Sequence, residues 1–585
     1  MTAANSAEYD VLVVGSGVAG MSAAITAAHR GLKVIVVEKA SFYGGTTGRS
    51  GGWLWVPNTH LAKALGHQER PDQALTYIKD QAGASFDEPR VCAFLDNGPK
   101  AIEFFMGKTA VQFDMPLTFP DYHAEAPGAA QGGRSMVTRP FNAGELGPLL
   151  KDLGPVLPEL TVFGLTIGSG KEIVHFMRAS RSLESAWYVA KRLTRHFYEV
   201  LTKGRGQTLT NGNALAARLA KSAADLSIPV WLSSPARQLL RDGGRVTGAV
   251  VERDGQRIQV LARLGVVLAS GGFPHDIERR KQTYPHVKTG HEHWSPAPQT
   301  NTGDGARMAE AVGGVFDATL SNAAAWTPMS LVPRKDGSTG IMPHFIDRAK
   351  PGVIAVDLDG RRFTNEANSY HDVVQAIVAA SQGKPENACW LLADHRAIRR
   401  YGLGFVKPFP MPMGAHLRNG YLKKGRTVAD LASQLNIDPA TLEATIREYN
   451  EHAKLGRDPA FGRGSKAYNR YQGDALHGPN PCVEPLQTGP YYAIKLVPGD
   501  LGSFMGLKTN AHAQVLTPAG EAIPGLYAAG NDAASVMGGE YTGAGITLGP
   551  GLTFGYVAAN HIADQARGGD TSAAATAPSR SAALV

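Results

Sequence analysis

A short apolar run, Val11-Leu12-Val13-Val14, breaks into Gly15-Ser16-Gly17-Val18-Ala19-Gly20 and then into an alanine-rich stretch over residues 21–30. Gly31 can stop a helix, and a second apolar run over residues 33–37 ends in Glu38. This is strand, glycine turn, helix and strand at the spacing of one βαβ unit. No other feature constrains the chain as strongly, because the three glycines have separate mechanical tasks. Gly15 permits the tight turn, Gly17 lets main chain approach a pyrophosphate, and Gly20 lets the helix pack against the sheet. The helix start offers amide donors and a partial positive charge, and Ser16, Val18 and Ala19 lie in the same turn. Glu38 can accept from both ribose hydroxyls, and an acid there argues against a 2′-phosphate.

The unit alone does not separate NAD from FAD. The segment after it does, because Lys39 leads into Gly44-Gly45-Thr46-Thr47 and on through Ser50, Gly51 and Gly52. A second glycine-threonine loop so early in the chain can reach the far end of an extended dinucleotide. A ribityl chain and flavin ring edge need such close backbone contact. FAD is therefore the expected cofactor.

Length and texture shape the rest. A chain of 585 residues exceeds what one core supports, so at least two lobes are expected. Hairpin patterning surrounds Asp254-Gly255, and a buried-strand run covers residues 265–269. Between about 301 and 498 strands thin out and helical stretches at 427–435 and 439–453 alternate with loops; strand texture returns at 525–530, before a final helix over about 551–566. The predicted fold is α/β with an α+β cap. A Rossmann-like FAD-binding domain comes from both chain ends (1–285 and 499–567), 286–498 forms an inserted cap, and 568–585 is read as a disordered tail.

Composition excludes several classes. Hydrophobic residues at 43% and charged residues at 19% suit a folded enzyme. The formal charge of +8 is spread along the chain, which argues against a nucleic-acid partner. Cys92, Cys389 and Cys482 have no metal-ligand spacing, so no metal site is expected. No run of about 18 apolar residues suggests an integral membrane segment. The first ten residues lack a basic n-region and an apolar h-region, so a cytoplasmic enzyme is expected, with loose membrane contact left open.

Further segments carry a resemblance: Leu268-Ala269-Ser270-Gly271-Gly272-Phe273, Asn301-Thr302-Gly303-Asp304-Gly305, Gly525-Leu526-Tyr527-Ala528-Ala529-Gly530-Asn531, and above all Gly539-Glu540-Tyr541-Thr542-Gly543-Ala544-Gly545 running on to Tyr556. Over nearly its whole length the chain resembles the fumarate reductase/succinate dehydrogenase flavoprotein superfamily, and within it the 3-ketosteroid 1-dehydrogenases. The resemblance implies cofactor contacts from Ser270, Gly271, Gly530, Asn531, Asp532, Gly545, Leu548 and Leu552, and adenine contacts from Ala236. Glu540 departs from the family, where a small or apolar residue is more usual. Members with covalent flavin carry a histidine after the glycine-threonine loop; here Gly48 follows Thr47, so non-covalent FAD is expected.

The implied chemistry is removal of an α proton and a β hydride from a cyclic ketone, a 3-ketosteroid or a smaller cyclohexanone. A quinone or other acceptor would take the electrons. Tyr541 and Gly545 match the family's carbonyl donors. For the base, the stretch Phe119-Pro120-Asp121-Tyr122-His123 resembles the first active-site tyrosine segment, in a register that puts His123, not Tyr122, at the tyrosine's place. Trp326 and Tyr370 are candidates for the pocket lining. Two rival readings remain: an unsaturated-acid reductase of fumarate or urocanate type, with Arg134 or Arg348 as clamps, and a flavoprotein subunit docked on an iron-sulfur partner.

Overall fold

The computed structural model describes residues 6–567, so the tail expected at 568–585 lies outside the described residues. The first strand, β1 (Ser6–Val14), is followed by helix α1 (Val18–His29) and strand β2 (Val34–Val37). Val34–Val37 is buried at every position, the pattern of a strand covered on both faces. Parallel neighbours extend the sheet: β1 lies between β2 and the long strand Gln256–Leu268, which also pairs in parallel with Ala522–Ala528.

The register explains why distant loops meet. Val14 pairs with Val37 and with Leu268, and Leu268 pairs with Ala528. Four parallel strands thus end level, and their following segments (Gly15, Glu38, Ala269 and Ala529) emerge at one edge. Main-chain bonds lock the exits, Gly15 N–H to Val37 at 2.8 Å and Ala529 N–H to Leu268 at 2.9 Å. The crevice beyond the carboxyl ends of such strands is where open α/β sheets bind ligands. Arg245–Arg253 and Gln256–Leu268 form the expected hairpin, with positive φ at both Asp254 and Gly255.

Helix α1 packs on the last described helix, Leu548–Ala566, closely enough that a Cβ on Gly555 would come within 2.3 Å of the Ala19 carbonyl. That helix begins three residues before the sequence pattern indicates. No helix among the described residues is long and apolar enough to cross a membrane.

Residues 301–498 are richer in strands than their sequence texture suggests. Ala324–Pro333, Thr339–Pro343, Val353–Val356, Cys389–Ala393, Lys423–Gly425 and Tyr491–Ser503 build a six-stranded sheet. Two of them, Val353–Val356 and Cys389–Ala393, are buried along their whole length, so they lack the alternation by which a half-exposed strand is recognised. Helices Lys171–Arg178 and Leu183–Lys203 contribute Ile173, Met177, Val189 and Leu193 to one apolar wall of the cavity described next.

Candidate active site

One cavity of about 1190 Å³ runs from the level strand ends to the inserted sheet. A ligand pocket usually measures ~300–1,000 Å³, so this space suits a large cofactor together with a second molecule. Its first wall is the glycine turn. Gly15, Ser16, Gly17, Val18 and Ala19 line it, with Glu38 and Lys39 beyond. The Glu38 carboxylate accepts from Ser16 N–H (3.0 Å), Ser16 Oγ (2.6 Å) and Ala40 N–H (2.8 Å), so it is held in place at the cavity wall. Lys39 Nζ is tied to Thr302 and Asp304, each at 2.7 Å.

Gly17 supplies the fit test for a dinucleotide. Its φ of −72° suits any residue, and a Cβ there would come no nearer than 3.6 Å to the protein, at Thr47 Oγ1. The chain itself therefore does not require glycine at this position. What glycine provides is space in the cavity in front of a helix start whose N-cap carries no side chain, where Val18 N–H donates to Thr47 Oγ1 at 2.9 Å and a pyrophosphate can use the space. Gly15 differs: with φ of +109° and Ala269 O 2.2 Å from any Cβ, it is fixed by the fold.

The second glycine-threonine loop lines the same space through Gly45, Thr46, Thr47, Ser50, Gly51 and Gly52, and Ala236, Ser270, Gly271, Gly530, Asn531, Gly545 and Leu548 join it. Four of the expected contacts do not line it. Gly20 faces the turn, where a Cβ would meet Gly15 O at 2.0 Å, and Gly44 packs on Ala216 and donates to Ser16 Oγ at 3.1 Å. Asp532 is buried and accepts from Ser270 Oγ (2.8 Å) and Gly272 N–H (3.0 Å), so it shapes the Ser270 loop from behind. Leu552 lies in the interface with α1, its carbonyl accepting from Ser22 at 2.6 Å.

The opposite wall is aromatic. Tyr122 stacks on Tyr541 with centroids 5.4 Å apart and rings 8° from parallel, and Tyr370 meets Tyr541 edge-on at 4.9 Å. The hydroxyls of Tyr122 and Tyr370 lie 3.0 Å apart. Burial pushes the Tyr541 phenol up to about 12, so it stays an O–H donor at neutral pH. Burial likewise raises Tyr122 and Tyr370. Gly545, at φ +101°, lies against Trp53 and Leu54, where a Cβ would approach within 2.4 Å of Trp53 O. The segment carrying Tyr122 is anchored by Asp121, which accepts from Trp55 Nε1 (2.8 Å) and Arg134 (2.6 Å).

His123 points away from this wall. It does not line the cavity; its ring bonds Gln81 through Nδ1 and faces Asp372 through Nε2 at 3.1 Å. Of the neighbours Tyr122 and His123 it is Tyr122 that lines the cavity, one place earlier than the sequence register indicates, because the loop turns successive side chains to opposite sides. Trp326 also misses the cavity and packs on Tyr284, His286 and His293. Arg134 is consumed by Asp121, Glu69 and the Gly128 carbonyl, and Arg348 by the carbonyls of His344, Phe345, Glu366 and Asn368, so neither lines the cavity as a clamp. Sequence reading did not single out Phe119, Phe345, Tyr468 and Tyr471, which complete the aromatic cluster. Tyr370 had a readable signal: Ser369 with Asp372 three residues later marks a helix start, and Ser369 Oγ accepts from Asp372 N–H at 3.2 Å.

Comparison with known proteins agrees with this geometry. The FAD binding domain family matches residues 10–548. The chain belongs to that family. FAD is its cofactor, and it is a flavin-dependent oxidoreductase. Among its relatives, 4-oxocyclohex-2-ene-1-carboxylate 5-dehydrogenase of Sinomonas cyclohexanicum is 42% identical over 95% of this chain and 93% of its own. The 3-oxosteroid 1-dehydrogenase of Mycobacterium tuberculosis H37Rv is 36% identical over 96% and 99%. The crystal structure of 3-ketosteroid delta1-dehydrogenase from Sterolibacterium denitrificans, in complex with 1,4-androstadiene-3,17-dione, superposes with a TM-score of 0.88 at 36% identity, covering 95% of this chain and all of that one. A flavocytochrome c3 fumarate reductase, at 22% identity and a TM-score of 0.63, shares the fold.

Proposed function

We propose that this FAD-dependent dehydrogenase desaturates a cyclic ketone next to its carbonyl, with residues 286–498 as the cap that closes over the ring. The observation that carries this reading is the convergence of Tyr541, Gly545, Tyr122 and Tyr370 on one cavity whose other wall is the dinucleotide cradle. The steroid and oxocyclohexene relatives act on ketones of very different size, and what their names share is ring-ketone dehydrogenation. Bound FAD supplies a two-electron acceptor for the β hydrogen as hydride.

The chain's residues handle the proton and the carbonyl. Tyr541 O–H, kept protonated by burial, donates to the ketone oxygen, and Gly545 N–H is assigned the second donor position. These donors make the α proton acidic by stabilising negative charge on oxygen. The Tyr122 and Tyr370 pair receives that proton after Tyr370 has first released its own to solvent, a step that burial makes costly. Tyr370 is suited to hold negative charge transiently, because it is the first residue of helix Tyr370–Ala380 and can accept the Tyr122 O–H. No histidine or cysteine among the described residues lines the cavity, which supports a non-covalent flavin. Acid precipitation should then leave the yellow colour in the supernatant.

The deciding experiment is anaerobic flavin bleaching by a panel of ring ketones, with product identified as the enone. Bleaching by a ketone, with colour restored by a quinone or artificial acceptor and not by NAD, is the expected result. Bleaching by none of them, with reduced enzyme reoxidised by an unsaturated acid, would replace this reading by a reductase.

A further inference from the structure

Beyond the tyrosines, the cavity wall becomes cationic in a way that the carbonyl chemistry does not use. From Phe345, whose ring touches Tyr370 at 5.4 Å, the chain runs to Lys350; from Tyr471, which touches Phe119 at 4.6 Å, it runs to Gln472 and Gly473. Lys350 joins these two segments. It is 7% exposed, and its Nζ donates to the Gln472 and Gly473 carbonyls, each at 2.7 Å. An ammonium has three donors, so one N–H remains beyond this pair. Lys407, from the neighbouring loop, also lines the cavity; its Nζ lies 3.5 Å from the Glu159 carbonyl and 5.4 Å from the centre of the Phe405 ring.

Among the described residues neither ammonium has a carboxylate within ion-pair distance, although acids stand nearby. Asp347 and Asp474 are committed elsewhere, and Glu159, near Lys407, pairs with Arg334 through Oε1 while its Oε2 has no hydrogen-bond partner. Asp347 faces His344 Nδ1 at 2.7 Å and accepts from Gly404 N–H at 3.0 Å. Asp474 accepts from Arg400 and from Tyr401 O–H, both at 2.8 Å. A lysine as buried as Lys350 is rarely left without a carboxylate partner, because desolvation opposes the charged form; Lys407 is half-buried. Here burial lowers the Lys350 ammonium to about 8, and lowers that of Lys407 as well. An arriving anion would relieve that penalty at both.

We infer that Lys350 and Lys407 form a carboxylate subsite, so that the preferred substrate is a cyclic ketone carrying an acid group on the part of the molecule remote from its carbonyl. The inference rests on the ketone reading and deepens it. Lys350 also ties two segments together, which a purely structural lysine would do; acid-against-ester selectivity separates the two roles, since a tether has no preference for a charged substrate.

The test uses holoenzyme and two oxo-acids of different reach, 4-oxocyclohexanecarboxylate and a 3-oxosteroid with a carboxylated side chain, each beside its methyl ester. For the acid that fits, kcat/KM should exceed that of its ester by about tenfold or more, the worth of one charge-assisted hydrogen bond. In Lys407→Met the advantage should shrink, and in Lys350→Met the ratio should fall toward one, mainly through KM. The arm that shows the preference gives the distance from carbonyl to acid. Equal turnover of acid and ester in the wild type overturns the subsite while leaving the ketone reading intact. A second measurement is independent of turnover: titration with cyclohexanecarboxylate, which has no ketone, followed by flavin absorbance. If no ketone bleaches the flavin but the acid binds more tightly than its ester, and loses that preference in Lys407→Met, the subsite stands and the ketone reading falls. Indifference to the charge in this titration overturns the subsite.

Discussion

The two walls of the cavity are built differently. The cofactor wall is main chain from four level strand ends and two glycine loops, and its side chains, such as Glu38 and Lys39, are pinned by short hydrogen bonds. The substrate wall is side chain. Tyr122, Tyr370 and Tyr541 come from three segments more than 150 residues apart and meet through ring packing, one hydroxyl contact of 3.0 Å and a main-chain bond from Tyr122 N–H to the Thr542 carbonyl at 3.0 Å. A main-chain wall tolerates change only where a residue adds nothing to the cavity. A side-chain wall tolerates loss of a hydroxyl without losing its shape, so chemistry and binding can be separated there by one atom.

The largest expected effect breaks the cofactor wall. Gly17→Leu has room within the protein but fills the cavity, so we expect a folded protein, with unchanged circular dichroism, that retains no FAD. Normal flavin content in this variant would show that the pyrophosphate does not pass Gly17.

The substrate wall should respond in the opposite manner. Tyr541→Phe should keep its flavin and lose about 10²–10³ in kcat, the usual cost of one oxyanion donor, with little change in substrate affinity. Near-normal turnover would reduce the C-terminal signature to part of the cofactor cradle.

A smaller effect tests whether the other two tyrosines act as a unit. Tyr370→Phe should cost about 10²-fold, toward the low end for a general base, and Tyr122→Phe about tenfold, the worth of one hydrogen bond. The double variant should be no worse than Tyr370→Phe by more than about twofold, since groups that act together are strongly non-additive. Additive losses would mean that they serve separate steps.

The smallest effect concerns His123, which stands outside both walls. Burial opposes its charged form, but the hydrogen bond and charge of Asp372 outweigh this and raise the imidazole above its ordinary value. A raised folded pKa stabilises fully below the unfolded value near ~6.5, and that contribution is lost as pH rises through the folded value. His123→Ala should therefore lower the melting temperature more at pH 6 than at pH 9, with turnover reduced less than in any tyrosine variant. A large, pH-dependent loss of turnover at unchanged stability would restore the imidazole as the base.

The difference between the walls also decided what could be read before the fold was known. The sequence by itself determined the cofactor wall, because Gly15, Gly17, Gly20 and Glu38 act through local backbone geometry, and turn, helix start and strand end are encoded within about 25 neighbouring residues. Tyr541 and Gly545, in contrast, were legible only through the resemblance of the C-terminal segment to the ketosteroid dehydrogenases, and both line the cavity. Which side of a loop faces the cavity was decided only in three dimensions. Tyr122 and His123 differ by one position, and the anchoring of Asp121 by Trp55 and Arg134 turns the tyrosine in and the histidine out. Gly20, Gly44, Asp532 and Leu552 belong to the right motifs, yet packing directs them behind the wall. That Lys350 has no carboxylate partner among the described residues was invisible in the chain for the same reason: an ion pair is a relation between distant residues, and only the tertiary structure shows that Asp347 and Asp474 are already committed to other partners.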